Sequence, residues 1–267
     1  MIPHHFQGFC VLGSGSAGNS VWIQSEQTSL LVDAGLSGRE LCRRLEGEGG
    51  KMSEVSALLL THEHQDHMRG VKGLLGRGDF EIFSTSQTLA RLGDVTEGKG
   101  RFTEFVSGEV IEWKGFRIHT FAVPHDAYEP CGFRVEWGGH SLGIFTDMGY
   151  VTSEVRMHMV QCREIILESN YDESLLRADI KRPWSTKQRI MARHGHLSNT
   201  QAADLVRTLP ADGPLRDVVL AHLSSDCNTP QLARAAVEEA LIQAGIPHVR
   251  VHVAEQHSCC RVDRRLD

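Results

Sequence analysis

Short apolar runs separated by glycine, serine and asparagine dominate this chain, and most of them close on a polar side chain able to do chemistry. Residues 9–12, 21–23 and 29–33 predict three strands. The turn Gly13-Ser14-Gly15-Ser16-Ala17-Gly18-Asn19-Ser20 lies between the first two. It has neither the Gly-Lys-Ser/Thr ending of a phosphate-binding P-loop nor GxGxxG spacing ahead of a helix, so a hairpin turn suits it as well as a site-shaping role. Ser37 is placed to cap a helix carrying Leu41, Cys42 and Leu45, stopped by the glycines of 47–50. A strand over 57–60 follows. Met68, Val71, Leu74 and Leu75 then fall at helical spacing, which predicts one helix opening at Asp66 and His67.

The pattern continues with a strand at 81–83, a short helix at 86–92 and a hairpin of 110–113 with 116–121 around Lys114-Gly115. Further strands are predicted at 132–137, 141–145, 165–167, 218–221 and 249–253. Ser198 or Asn199 caps a helix bearing Ala202, Leu205, Val206 and Leu209. Thr229 and Pro230 open another, which Gly245 stops. Two successive strand-rich halves point to one layered unit, a single domain over residues 1–267.

Composition narrows the function. With 267 residues and 40% hydrophobic content the chain can bury a large core. A formal net charge of −6 excludes gripping nucleic acid by bulk basicity, so a phosphate substrate has to be held locally. The sequence shows no signal-peptide pattern and no apolar run near the ~20 residues needed to span a bilayer, and it reads as cytoplasmic without a membrane partner. Seven scattered cysteines without a C-x-x-C pair argue against a disulfide framework or zinc ribbon; Cys259-Cys260 has no assigned role.

Fifteen histidines carry more information. Thr61-His62-Glu63-His64-Gln65-Asp66-His67 directly follows an apolar strand. In an extended segment His62 and His64 share a face and can hold one ion, while Asp66 and His67, beyond the turn, can reach a second. His125, Asp147 and His222 also come at strand ends, and Asp33 closes the third strand. Arg177, Lys181, Arg182, Lys187, Arg189, Arg193 and His194 form a distinctly cationic loop leading into Gly195-His196-Leu197-Ser198-Asn199.

The order H-x-H-x-D-H, His, Asp, His resembles the metallo-β-lactamase superfamily over nearly the whole chain. That resemblance implies an α/β fold, a four-layer αβ/βα sandwich of two central mixed β-sheets flanked by helices. It also implies two divalent metals (zinc, manganese or iron), one on His62, His64 and His125, the other on Asp66, His67 and His222, with Asp147 bridging. Asp33 would orient the histidine loop without touching metal. An aspartate at 147, where β-lactamases proper commonly have cysteine, favours the branch holding glyoxalase II, lactonases and phosphodiesterase nucleases.

A closer likeness, to the YycJ/WalJ-type proteins, rests on the Gly13–Asn19 turn, on Gly195-His196-Leu197-Ser198-Asn199, and on His222-Leu223-Ser224 followed by Asn228-Thr229-Pro230. It implies a cytosolic phosphodiesterase, a 5′-to-3′ exonuclease on DNA using a metal-bridging hydroxide. The alternatives are a ribonuclease Z-like or small cyclic phosphodiesterase, or a glyoxalase II/lactonase-like acyl hydrolase. In the nuclease reading Asp66 orients the nucleophile and His196 binds phosphate or protonates the leaving group. Ser14, Ser16, Asn19, Ser198 and Asn199 line the substrate, and the cationic loop tracks its backbone.

Overall fold

The apolar runs pair into two seven-stranded sheets, described for residues 7–263 in a computed structural model. The first half of the chain runs β1 (Gly8–Gly13), β2 (Ser20–Gln24), β3 (Ser29–Val32), α1 (Gly38–Gly47), β4 (Val55–Leu59), α2 (Gln65–Met68), α3 (Val71–Leu74), β5 (Glu81–Ser84), α4 (Ser86–Thr96) and β6 (Arg101–Glu104). The second runs β7 (Val110–Trp113), β8 (Phe116–Ala122), β9 (Cys131–Trp137), β10 (His140–Phe145), α5 (Ser153–Met159), β11 (Glu164–Glu168), α6 (Glu173–Ala178), α7 (Trp184–Ile190), α8 (Asn199–Arg207), β12 (Asp217–Ala221), α9 (Pro230–Gln243), β13 (Arg250–Val253) and β14 (Cys260–Asp263). One sheet is ordered β14-β1-β2-β3-β4-β5-β6 and the other β13-β12-β11-β10-β9-β8-β7.

The layers follow from which faces are apolar. Phe9, Ile23, Leu30 and Leu59 of the first sheet meet Phe133, Leu142, Ile166 and Val219 of the second in a core between the sheets. The alternate residues Leu12, Trp22, Leu31 and Leu58 are just as buried, against Leu41, Leu45, Val71 and Leu92 of the helices outside. On the far side Phe145, Leu167 and Leu220 pack under Val155, Val206 and Val237. Strands covered on both faces read as continuous apolar runs, which is why the sequence marks them clearly. The architecture is the expected four-layer sandwich of two mixed sheets flanked by helices. Among the described residues no helix is long and apolar enough to cross a membrane.

β3, β4 and β5 are parallel, as are β10, β11, β12 and β13. The carboxyl ends of both parallel sets open on the same edge of the sandwich, a common location for ligand sites in α/β proteins.

Several local expectations change. The single helix expected after the histidine cluster is two four-residue pieces, α2 and α3, broken at Gly70. The Gly70 N–H donates to the Ala34 carbonyl at 2.7 Å, and a Cβ at 70 would sit 2.1 Å from the Leu36 carbonyl oxygen. Backbone contact there takes precedence over helical spacing. Within the cationic stretch Arg177 belongs to α6 and Lys187 and Arg189 to α7, helices of six and seven residues that are too short and too polar to leave an apolar period. The 13–20 turn is the hairpin between antiparallel β1 and β2. Strands β6 and β14 and helix α5 carry no strong sequence signal; β14 buries only Val262 firmly.

Candidate metal centre

Asp33, just past β3, fixes the histidine loop. Its carboxylate accepts from the Thr61 N–H (2.9 Å) and Thr61 Oγ (2.9 Å) and from His67 Nδ1 (2.7 Å). Thr61 Oγ in turn lies 2.9 Å from His62 Nδ1. His125 Nδ1 lies 3.2 Å from the Gly195 carbonyl, and His222 Nδ1 lies 3.0 Å from Glu168 Oε1. With each Nδ1 engaged in this way, Nε2 is left as the outward-facing donor, the usual arrangement for histidines that bind metal.

Two groups of donors result. One donor atom from each of His62, His64 and His125 lies within 4.8 Å of the other two, and the same holds for Asp66, His67 and His222. Asp147 stands between them. Its Oδ2 is 3.3 Å from His67 Nε2, while its Oδ1 is 3.5 Å from His222 Nε2 and 3.9 Å from His125 Nε2. The chain thus brings all seven expected ligands to one place.

Whether a cation belongs here is answered by the polar atoms. His62 Nε2 and Asp147 Oδ2 are buried without a hydrogen-bond partner among the described residues, and leaving such groups unsatisfied costs about 1–3 kcal/mol each. A divalent cation held here would satisfy both. Protonation tells the same story. Burial, together with the charge on His67 and His125, pushes the His62 pKa well below the ordinary value, and burial also lowers that of His125, so both present lone pairs. Burial opposes charge on His67 and His222 as well, but Asp147, with Asp33 for the first and Asp66 and Glu168 for the second, outweighs it and raises both. Those protons occupy a place that metal takes on binding.

Backbone geometry supports the cluster. Asp33, Asp147 and His222 are non-glycine residues with φ of 60°, 57° and 56°, in the left-handed region at strand ends. Asn19 ties down Asp66, its N–H donating to the Asp66 carbonyl (2.8 Å) and its Nδ2 to Asp66 Oδ2 (3.2 Å). Gly35 has to be glycine, because a Cβ there would lie 1.6 Å from the Asp66 carbonyl oxygen.

One important residue escaped the sequence reading. Glu168, fully buried at the end of β11, accepts from the N–H groups of Met148 (3.0 Å) and Leu197 (3.1 Å), from His196 Nδ1 (2.7 Å) and from His222 Nδ1. Burial disfavours its charge, but His196 and His222 more than compensate and hold its pKa far below the usual range. For His196, burial is likewise outweighed by Glu168, and its pKa is raised. The available signal was a carboxylate closing the apolar run Ile165-Ile166-Leu167.

The expected substrate contacts divide. Ser14 is buried and its Oγ accepts the His222 N–H at 2.7 Å, while Ser16 is exposed. Ser198 and Asn199 are buried. Ser198 Oγ caps α8 within a capping box, and Asn199 exchanges hydrogen bonds with Ser169 and Asn228. Both side chains are committed to the scaffold, so the plain N-cap accounts for Ser198. Ser198→Ala is expected to lower stability by about 1 kcal/mol in a denaturant melt, with KM for any phosphate substrate unchanged. A KM rise without loss of stability contradicts the cap. The cations of the stretch 177–194 are also largely paired within the protein. Lys181 and Arg182 pair with Asp226, Arg189 with Asp126, and Arg193 lies over the Tyr150 ring at 4.4 Å.

Comparison with known proteins agrees with this geometry. The Beta-lactamase superfamily domain model matches residues 28–223. The chain is 32% identical over 239 residues to "Exodeoxyribonuclease YycJ" of Bacillus anthracis, covering 89% of this chain and 90% of that protein. It is also 32% identical over 245 residues to "Exodeoxyribonuclease WalJ" of Streptococcus pneumoniae serotype 2, covering 89% of each. In three dimensions it is similar to the metallo-beta-lactamase fold protein YhfI of Bacillus subtilis, with a TM-score of 0.71 at 17% identity over 95% of this chain and 98% of that one. The chain therefore belongs to the beta-lactamase superfamily, as a metal-dependent hydrolase of the family that includes the two proteins so named.

Proposed function

We propose that the chain is a dinuclear metal-dependent phosphodiesterase that degrades DNA as a 5′-to-3′ exonuclease. The observation that carries this reading is Asp147 standing between two donor groups, with His196 held on Glu168 beside them. His62, His64 and His125 would hold one divalent cation, zinc, manganese or iron, and Asp66, His67 and His222 the second, with Asp147 available to both. Bound there, the cations supply Lewis acidity toward the phosphate and a water activated near neutral pH.

The protein's own groups then divide the remaining work. Asp66, fixed by Asn19, orients the attacking water, whose proton is released to solvent. His196 is 19% exposed, enough to meet substrate, and its Nδ1 is engaged by Glu168. Nε2 is then the nitrogen that gives a proton to the leaving oxygen as the phosphorus–oxygen bond breaks. Ser16 is the exposed serine of the β1–β2 turn and is the residue of that turn assigned to meet the nucleic-acid strand. Donors come from both halves of the chain, which supports reading it as one domain. Seven free thiols suit a reducing cytoplasm.

An acyl hydrolase would use the same metal donors, but acyl transfer has no need of the His196–Glu168 pair. The deciding assay reconstitutes the protein with each metal and offers end-labelled single- and double-stranded DNA, RNA, a cyclic phosphodiester and a thioester. Release of mononucleotides from the 5′ end of DNA is expected; preferential thioester cleavage overturns the reading. His196→Ala is expected to lower the DNA rate ~10²–10⁴-fold with bound metal unchanged. Loss of metal in that variant would make His196 a ligand instead.

A further inference from the structure

The Cys259-Cys260 pair plays no part in the proposed reaction, yet half of it belongs to a second cluster of donors. Cys10 comes from β1, Glu48 caps the end of α1, and Cys259 immediately precedes β14. One donor atom from each lies within 4.8 Å of the other two. The cluster sits under the outer helices of the first sheet, where Cys10 is fully buried and Cys259 packs on the same apolar group. Cys260, one residue on, turns instead to the core between the sheets. Glu48, with its side chain 24% exposed, opens the cluster to solvent.

The Cys10 thiol donates to the Val11 carbonyl and the Cys259 thiol to the Leu12 carbonyl, both at 3.8 Å. Burial pushes both thiol pKa values up, and the neighbouring sulfur and carboxylate add to the rise for Cys10. Without a cation the deprotonated forms of these three neighbouring groups would repel one another. In tetrahedral zinc sites metal–sulfur bonds of about 2.3 Å place neighbouring sulfurs roughly 3.8 Å apart, a spacing within small side-chain shifts of this arrangement.

We propose that Cys10, Cys259 and Glu48 form a separate site for one soft divalent cation of the zinc class, with water completing the coordination. Binding replaces two thiol protons, released to solvent, with two metal–sulfur bonds, and no electrons are exchanged. Two thiolates favour zinc-like ions over magnesium or manganese. The site joins three segments remote in sequence. It also underlies the turn that holds the main centre. The Leu12 carbonyl receives Arg44 Nη1 (2.6 Å) and faces Cys259 Sγ (3.8 Å), and Arg44 also reaches the Gln256 carbonyl (2.9 Å). The Gln256 side chain accepts the Ala17 N–H and donates to the Gly18 carbonyl, both at 2.9 Å, next to Asn19. The cation acts as a structural support for the Gly13–Asn19 turn.

Cobalt(II) titrated into the full-length reduced protein tests this, because the histidine–aspartate centre has no sulfur donor. A sulfur-to-cobalt charge-transfer band is expected in the parent protein and in Cys260→Ser. It should be lost in Cys10→Ser and in Cys259→Ser, with metal content falling by one equivalent per chain. Glu48→Gln should keep the band but weaken cobalt binding at least tenfold. Cys259 is partly exposed, so its variant remains informative even if Cys10→Ser fails to fold. Absence of the band in the parent protein, its survival in Cys259→Ser, or isolation of Cys10 and Cys259 as a disulfide under reducing conditions overturns the proposal.

Discussion

Asp66→Ala is expected to lower phosphodiester turnover by about 10³-fold or more while the protein stays folded. Asp66 belongs to α2, a four-residue helix, and its side chain adds no apolar surface to any of the cores. Stability should therefore survive its loss. Function should not, because its Oδ2 lies 3.4 Å from His67 Nε2 and 3.5 Å from His222 Nε2, and it is the group assigned to orient water. Burial opposes its charge, but His222 and His67 hold its pKa far below the carboxylate range, so it is ionised at any working pH. Losing about 4 kcal/mol of transition-state stabilisation corresponds to about a thousandfold in rate. The measurement is kcat on a phosphodiester reporter with metal in excess, beside circular dichroism of both proteins. Equal turnover in parent and variant would eliminate the proposed mechanism.

The largest effect on stability is expected from Glu168→Ala. The substitution leaves two backbone N–H groups and two imidazoles without their acceptor in a fully buried place. Removing one partner of a buried charged pair typically costs about 3–5 kcal/mol, and the midpoint of denaturant unfolding should fall accordingly at constant slope. Glu168→Gln keeps an acceptor and should retain much more stability, yet without a negative charge it cannot hold His196 protonated. Its rate on DNA should drop toward that of His196→Ala. A Glu168→Ala protein within about 1 kcal/mol of the parent would mean that the network contributes little.

How much of this was readable in advance depends on the kind of signal. Strands β3, β4, β10 and β12, buried on both faces, stand out as runs, and the site residues just beyond them could be named because the chain leaves each of these strands with a histidine or carboxylate. Glu168 was passed over because it ends a run in the same way but belongs to no familiar string; only its contacts with His196 and His222 reveal it. Ser198 and Asn199 illustrate the opposite problem. Their residue types fit phosphate binding and helix capping equally, and only burial shows that the cap engages them. The short helices α6 and α7 fell below the length at which periodicity can be recognised. The break at Gly70 depended on a backbone approach from Ala34 and Leu36 that no local pattern encodes.

The left-handed backbone at Asp33, Asp147 and His222 has an evolutionary corollary. Holding a non-glycine residue there costs of order 1–3 kcal/mol, and glycine adopts the same φ without that strain. At these three positions selection for stability and selection for chemistry pull in opposite directions. A lineage released from its activity should drift toward glycine at 33, 147 and 222, whereas retention of two aspartates and a histidine at such angles is the mark of a chain still under catalytic selection.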